Sequence, residues 1–521
     1  MAETIRPTMP TSLARDVLHR VVKAYDVRGV VPDELGPEVT RALGAAFVEV
    51  VVRPDAVARG VLPRVVVARD MRDSGPSLVA AFVDGARTAG AQVLYAGLCS
   101  TDELYFAAGD LEAAGAMFTA SHNPARYNGI KLCLPGARPV GQDAGLGATA
   151  ERAAELLAGA PLGEAALGEA ALGGVQEVDV LRPYAERLRT LVDLSGDRRL
   201  RVVVDAGNGM AGLTVPAVLG MAAGLPALPL GIVPLFFELD GSFPHHEANP
   251  LVPANTATLQ AEVVRRRADL GLAFDGDADR CFVVDERGRR VDPSALTALV
   301  GLREARRVQE QGGEPVVLHN VITSRAVPEI LAAHGVRTVR TRVGHSFIKG
   351  VMAQEGAVFG GEHSGHFYFR DFFGADSGLL TAMHVLSALA EQDRPLSELV
   401  GDLDPYVRSG EVDVVTGDPA RAQETVLDAL GAQFGAATLE VDRLDGVTVS
   451  RWSWPDPWWL NVRASNTESL LRVNVEAADA ETMRFVRDLV LRALDPAGPA
   501  EQGVGSPRDS AAITSSTERT G

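Results

Sequence analysis

ADLGLAFDGDADRCFVVDERG, residues 268–288, sets an apolar run, LGLAF, directly before an acidic loop and a second β-branched run. The pattern reads as strand, loop, strand and turn. Within the loop, Asp275, Asp277 and Asp279 occupy alternate positions. On an extended segment such side chains share one face, and in a tight loop they can converge. Three hard oxygen ligands suit Mg²⁺, which keeps coordination positions open for water or a phosphate oxygen. The loop follows a strand, and open α/β sheets bind ligands at the carboxyl ends of their strands. The competing reading is an Asp-rich surface turn in which Gly276 supplies an unusual backbone angle. An EF-hand is a poor fit, because its downstream Glu and central Gly are misplaced here.

The same alternation extends outward in both directions. RVVVARD (64–70), QVLYAGL (92–98) and AGAMFTAS (114–121) read as strands, with SLVAAFVDGARTAGA (77–91) at helical spacing between the first two. RRLRVVVDAGNGMAG (198–212) is a strand running into a glycine-rich turn and a helix. EPVVLHNVITS (314–324), VRTVRTRVGHSFIKG (336–350) and GAVFGGEHSGH (356–366) restart the pattern a third time. Strands alternating with helices imply mostly parallel sheets, so three successive α/β units are expected. A final segment, about 407–495, mixes strands and helices and carries all four tryptophans, Trp452, Trp454, Trp458 and Trp459.

Two stretches fall outside this alternation. LGEAALGEAALGG (162–174) is a short Ala/Leu/Gly repeat, expected to be a surface insertion or a helix-and-turn connector. From Asp495 onward the chain is poor in apolar residues and rich in Ser, Gly and Pro, the composition of a disordered tail.

Bulk properties bound the function. The chain has 521 residues, 46% hydrophobic and 23% charged, an ordinary globular balance of three to five domains. Its net charge of -18 argues against nucleic-acid binding, which draws its affinity from basic patches. Three cysteines, Cys99, Cys133 and Cys281, show no CxxC spacing and form an odd set, so a disulfide framework is not expected. The segment MAETIRPTMPTSLARD has no apolar signal core. Ala206 to Phe237 lacks charge, but its four prolines and repeated glycines would break a spanning helix; a buried helix, turn and strand are expected there. A cytoplasmic protein without membrane partners is therefore expected.

Four further motifs carry chemistry. In TASHNPARYNGIKL (119–132), Ser121 sits where a strand enters a loop, exposed as a nucleophile or phosphoryl carrier must be. SHNP also reads as a plain polar turn. His122 is not expected to serve as its base, because adjacent side chains on an extended segment diverge. Lys131 lies among apolar neighbours; it reads either as a partly buried lysine with a depressed pKa, useful in acid/base work, or as a lysine snorkelling from a sheet edge. In GGEHSGH (360–366), Glu362, His363, Ser364 and His366 between glycines can hydrogen-bond sugar hydroxyls, and the spacing does not argue for zinc. RASNTES (463–469) places Arg463 near Ser465, Asn466 and Thr467, a set that can cradle a phosphate or simply cap an element. YDVRG adds Arg28, and VGHSFIK adds His345, Ser346 and Lys349. Taken together, a hydroxyl, a carboxylate trio, a polyol-binding loop and an Arg-hydroxyl clamp meet the needs of phosphoryl transfer to a sugar phosphate.

TASHNP, DGDADR, GEHSGH and RASNTES, in this order, resemble the α-D-phosphohexomutase superfamily, with bacterial phosphomannomutase/phosphoglucomutase its nearest branch. The resemblance spans about residues 20–495. It implies an α/β fold of four domains around a central cleft: three related α/β domains with mixed sheets and a smaller C-terminal α+β domain. The expected boundaries are 12–182 with the phosphoserine loop, 183–293 with the metal-binding loop, 294–406 with the sugar-binding loop, 407–495 with the phosphate-binding loop, and 496–521 as tail. It also implies that Ser121 is carried as phosphoserine and that one Mg²⁺ per chain is held by Asp275, Asp277, Asp279 and a phosphate oxygen on Ser121. Arg280 would steady the phosphoserine, and Lys131, His345 and Arg28 would serve acid/base steps. Glu362, Ser364 and His366 would bind the sugar, while Arg463, Ser465, Asn466 and Thr467 would grip the non-reacting phosphate. The implied activity interconverts mannose 6-phosphate and mannose 1-phosphate through a hexose 1,6-bisphosphate, which also acts as activator, in a monomer or homodimer.

Ala68 before Arg69-Asp70, Ile322 and Val343 depart from the usual pattern and bear on sugar preference, whereas His363 favours mannose over glucosamine. The alternatives are a phosphoglucomutase or phosphoglucosamine mutase with the same mechanism, a phosphohydrolase using an Asp of the trio, and a silent phosphosugar sensor.

Overall fold

The β-branched runs become the inner strands of successive sheets in the computed structural model, which describes residues 9–162, 173–196, 198–464 and 470–494, without the side chains of His345 and Ser346. The expected connector and tail therefore lie largely or wholly outside the described residues. The chain divides into two units, Met1–Pro405 and Tyr406–Gly521.

The first unit holds three sheets. In the first, Arg64–Arg69 lies parallel to both Gln92–Leu98 and Ala114–Phe118. Val65, Val66, Val67 and Ala68 are all buried, because this strand is covered on both faces, and that is why its apolar run is continuous rather than alternating. Ala114–Phe118 then pairs antiparallel with Tyr127–Leu134, which pairs with Val27–Val30 at the edge. The sheet is mixed, and the loop carrying Ser121 joins its two antiparallel neighbours.

In the second sheet, Leu200–Asp205 runs parallel to Leu230–Leu235 and to Leu270–Phe274, and Cys281–Asp285 returns antiparallel from the acidic loop. The uncharged stretch after Ala206 forms the helix Ala211–Val218 and the strand Leu230–Leu235, as expected. The third sheet has the order Arg337–Thr341, Val316–Asn320, Phe359–Gly361, Phe367–Phe369 and Ala375–Asp376. One apolar core runs through all three sheets, from Val66 and Leu94 through Val204 and Leu272 to Val317 and Phe359. Among the described residues, no helix is long and apolar enough to cross a membrane.

The second unit is a five-stranded antiparallel sheet ordered Val407–Val415, Leu470–Ala477, Trp458–Ala464, Val447–Ser450 and Glu440–Asp442. Val426 and Leu430 of the helix Pro419–Phe434, and Met483, Val486 and Val490 of the helix Ala480–Leu494, share one core with Trp458, Leu460 and Val473. Three successive α/β units are as the alternation implied; their mixed sheets, where the alternation alone implied mostly parallel ones, and the α+β unit at the C-terminus are as the resemblance implied.

Candidate active site

Ser121 sits just beyond the strand Ala114–Phe118 with φ of 51°, a left-handed conformation that non-glycine residues seldom adopt outside functional turns. Its amide donates to Thr119 Oγ1 at 2.8 Å, and its carbonyl accepts from Arg72 Nη2 at 2.9 Å. The hydroxyl donates to Asp275 Oδ2 at 2.8 Å. His122 Nδ1 stands 3.3 Å from the same oxygen, closer than an extended segment would allow, because the left-handed turn folds the two side chains together. The His122 Nδ1 is nonetheless poorly disposed to take a proton. Arg280 Nη2 donates to Nδ1 at 2.9 Å, and burial, with Arg280 and Arg28 nearby, holds the imidazole well below its ordinary pKa.

Arg72 is the support that sequence reasoning missed. Its Nη1 donates to the carbonyls of Pro124 and Tyr127, both at 2.9 Å, and its Nη2 to those of Ser121 and Asn123. Nε meets Asp70 Oδ2 at 3.1 Å, so all five N–H groups are used. Phe243 packs on the guanidinium face, 5.1 Å from ring centroid to Cζ. The departure noted at Ala68 thus lies four residues before the arginine that matters for this loop, and RD in a strand-end turn was the available signal.

The acidic loop closes a hairpin between Leu270–Phe274 and Cys281–Asp285, in which Phe274 opposes Cys281. The hairpin makes the three aspartates converge. All are fully buried, and one oxygen from each lies within 4.8 Å of the others. Gly276 was read as the source of an unusual backbone angle if the loop were a mere turn; the structure corrects this. Ala278 takes the positive φ, 61°, and Gly276 is needed for close approach, since a Cβ there would stand 2.6 Å from the Ser121 carbonyl oxygen. A side chain at 276 would push the acidic loop off the serine loop.

Buried carboxylates need partners or a cation. Lys131 Nζ bridges Asp277 Oδ2 at 2.8 Å and Asp279 Oδ2 at 2.5 Å. Arg280 Nε lies 3.3 Å from Asp275 Oδ2. Among the described residues, Asp277 Oδ1 and Asp279 Oδ1 remain buried without hydrogen-bond partners, which fits a site that takes a divalent cation. Burial and the charges of Asp277 and Asp279 push Asp275 well above the usual carboxylate range. Burial works the same way on Asp279, but Lys131, His366 and Arg280 outweigh it and hold that group well below.

The depressed pKa considered for Lys131 is reversed. Burial alone would lower it, yet Asp277, Asp279 and Asp376 outweigh burial and push it up, so the side chain is held as an ammonium. No pattern around NGIKLCL announces those carboxylates, which arrive from other sheets.

Arg28 donates to Asn123 Oδ1 at 2.6 Å and to Asp26, which places it beside the serine loop. The GEHSGH segment is hydrogen-bonded to the acidic hairpin: Arg280 and His366 form an antiparallel bridge, and Cys281 N donates to Gly365 O. His366 Nε2 lies 3.5 Å from Asp279 Oδ1, and its Nδ1 contacts Ser364 Oγ at 2.8 Å. Glu362 accepts from Gly344 N, Asn320 Nδ2 and Tyr368 OH, the last at 2.6 Å. Lys349 is buried, pairs with Asp376 at 2.7 Å and stands 3.9 Å above the Tyr105 ring. His345 begins the helix His345–Glu355, and its side chain is outside the described residues.

In the second unit, Arg463 lies near the end of the strand Trp458–Ala464, buried, with Nη2 on Glu411 Oε2 at 3.1 Å. Ser465, Asn466 and Thr467 lie outside the described residues.

Comparison with known proteins adds the following. Four family models match in order: phosphoglucomutase/phosphomannomutase alpha/beta/alpha domain I over residues 19–154, domain II over 182–288, domain III over 292–406, and the C-terminal domain over 411–493. The chain is 37% identical to the phosphohexose mutases of Xanthomonas campestris over 456 residues, 87% of this chain and 94% of that one. It is 34% identical to the phosphomannomutase of Escherichia coli, with coverages of 87% and 94%. Identity is also 34% to the phosphomannomutase/phosphoglucomutase of Pseudomonas aeruginosa, covering 96% and 99%. A phosphoglucomutase/phosphomannomutase family protein from Burkholderia thailandensis superposes with a TM-score of 0.76 at 31% identity, covering 93% of this chain and 98% of that one.

Proposed function

This chain belongs to the phosphoglucomutase/phosphomannomutase family, and on that premise we propose that it interconverts mannose 6-phosphate and mannose 1-phosphate through a phosphoserine at Ser121. The observation that carries the reading is the Ser121 hydroxyl, 2.8 Å from Asp275 at the edge of a buried carboxylate trio and flanked by Arg280 and Lys131. A phosphoryl carrier requires that juxtaposition of hydroxyl and positive charge.

In the cycle, the P–O bond to Ser121 breaks as a new P–O bond forms to the free hydroxyl of a hexose monophosphate. That hydroxyl's proton leaves as the serine oxygen gains one, so no net proton is consumed. The resulting hexose 1,6-bisphosphate turns over in the site, and its other phosphate returns to Ser121. Lys131, held as an ammonium, supplies a proton or positive charge. Arg280, which also touches His122, steadies the phosphoserine. Arg28 and His345 complete the acid/base set. Glu362, Ser364 and His366 meet the sugar hydroxyls, and Arg463, Ser465, Asn466 and Thr467 hold the other phosphate. Asp275, Asp277 and Asp279 would hold one Mg²⁺, which when bound supplies positive charge against the phosphoryl oxygens. Hexose 1,6-bisphosphate primes the unphosphorylated enzyme. The functional domains are taken as 12–182, 183–293, 294–406 and 407–495, in a cytoplasmic monomer or homodimer; the three free, buried cysteines suit a reducing compartment.

Glucose phosphate is the second sugar, a reading favoured by relatives whose names include both mutase activities. A coupled assay with Mg²⁺ and catalytic hexose 1,6-bisphosphate, comparing mannose, glucose and glucosamine 1-phosphates, ranks them by kcat/KM. Ser121→Ala is expected to abolish turnover and to remove phosphate from the serine peptide in mass spectra. Parental activity in that variant rejects the mechanism, and phosphate release without isomerisation points to a hydrolase.

A further inference from the structure

Asp277, the middle carboxylate of the acidic loop, is gripped from outside the loop through both side chain and backbone by Thr101, with Lys131 adding a second contact to the carboxylate. Thr101 Oγ1 donates to Asp277 Oδ2 at 2.6 Å, and the Thr101 amide donates to the Asp277 carbonyl oxygen at 2.9 Å. Side chain and backbone of the aspartate are thus held from one point, 176 residues away in sequence. Both residues are fully buried. Because Oδ2 also receives Lys131 Nζ, that oxygen is doubly engaged, whereas Oδ1 has no hydrogen-bond partner among the described residues.

Thr101 is itself immobilised. It is the first residue of the helix Thr101–Asp110, whose start is closed by a capping box: the Ser100 hydroxyl accepts from Glu103 N, and the Glu103 carboxyl accepts from Ser100 N. The next residue, Asp102, accepts from Ser100, from Tyr184 OH at 2.7 Å and from Ser377 Oγ at 2.6 Å. Tyr184 belongs to the helix Leu181–Leu191, and Ser377 caps the helix Gly378–Ala390. The helix start is therefore tied to the elements that follow the first and third sheets. Its partial positive charge also falls on the Asp277 side of the cluster.

We propose that Thr101 is a positioning residue for the cation site, orienting Asp277 so that Oδ1 meets the metal while Oδ2 is held by the protein. This rests on reading the aspartate trio as Mg²⁺ ligands. Outer-shell donors of this kind fix the ligand's rotamer and are worth about 10–100-fold in metal affinity or activity. The hydroxyl is the necessary part: valine keeps the shape and loses the donor, whereas serine keeps the donor.

The test measures Mg²⁺ binding to the full chain by titration calorimetry, alongside mutase kinetics. Thr101→Val is expected to weaken Mg²⁺ binding by about 10–100-fold, with KM for the sugar phosphate little changed and kcat recovering as Mg²⁺ is raised. Thr101→Ser is expected to bind Mg²⁺ as the parent does. If the valine variant fails to fold, Thr101→Ala takes its place and must show the same loss. Parental affinity in the folded variant lacking the hydroxyl overturns the proposal, as does a serine variant as weak as the valine one. A parent chain that binds no Mg²⁺ overturns it together with the metal reading. Mg²⁺ binding without mutase turnover rejects the proposed function instead, and the variant affinities still decide the role of Thr101.

Discussion

Replacing Gly276 by alanine tests whether the acidic loop must touch the serine loop for phosphoryl transfer. The added Cβ would stand 2.6 Å from the Ser121 carbonyl oxygen, about 0.8 Å inside the 3.4 Å at which ordinary contact begins. The obstacle is backbone, and Arg72 pins that same carbonyl, so the serine loop does not yield easily. Ala248 Cβ, 3.5 Å from the added atom, is at ordinary contact and is not the obstacle. Relief comes by moving the acidic loop outward, which stretches the 2.8 Å contact between Ser121 Oγ and Asp275 by a comparable amount. Displacements near 1 Å at a reacting centre cost about 100-fold in rate. Overpacking of this kind also destabilises by about 1–3 kcal/mol. The coupled mutase assay is therefore expected to show kcat reduced about 100-fold with the sugar-phosphate KM changed only a few-fold, and thermal melting to show a modest loss. Gly350→Ala is the control: it lies in the helix His345–Glu355 with nothing within 4 Å of the new atom, and parental activity is expected. Parental kcat in Gly276→Ala would refute the claim that this close approach sets the active geometry.

Arg72→Lys keeps the charge but offers three donors where five are used, leaving at least two of the five acceptors, one or more of them serine-loop carbonyls, unpaired at about 1–3 kcal/mol each. Chemical denaturation should show that loss together with reduced kcat; unchanged stability would mean the loop is held by other contacts. Glu103 gives a pH test, since burial pushes its carboxyl from 4.5 up to about 8. A raised folded-state pKa contributes stability below the unfolded value that is lost as pH rises through the folded one, so Glu103 penalises the native state between about pH 4.5 and 8 and beyond. Glu103→Gln stays neutral and should lose less melting temperature than the parent between about pH 6 and pH 9, a difference on the order of a few kcal/mol. Equal pH slopes would show that Glu103 does not carry the penalty.

Local chemistry determined much of this protein before any coordinates. Continuous β-branched runs such as RVVVARD marked strands, because neither hydrophobic periodicity nor strand propensity depends on distant residues. The alternation of such runs with helical segments marked three successive α/β units and a different C-terminal one, although it implied mostly parallel sheets where the structure has mixed ones. DGDADR gave the carboxylate cluster, since the residues that converge are neighbours in one hairpin loop. What only the tertiary structure decided involves partners from far along the chain. Lys131 shares its face with carboxylates from other sheets, and their summed charge reverses the shift that burial alone would impose. Gly276 is small because the Ser121 carbonyl passes against it, not because its own φ demands glycine. Thr101 and Arg72 sit in segments whose local patterns, a capping box and a strand-end turn, report how those segments begin or end. What they grip was set by the folding of the sheets against one another. Periodicity and capping are short-range and survive in a linear reading, whereas steric approach and electrostatic environment are sums over neighbours that exist only once the chain has folded.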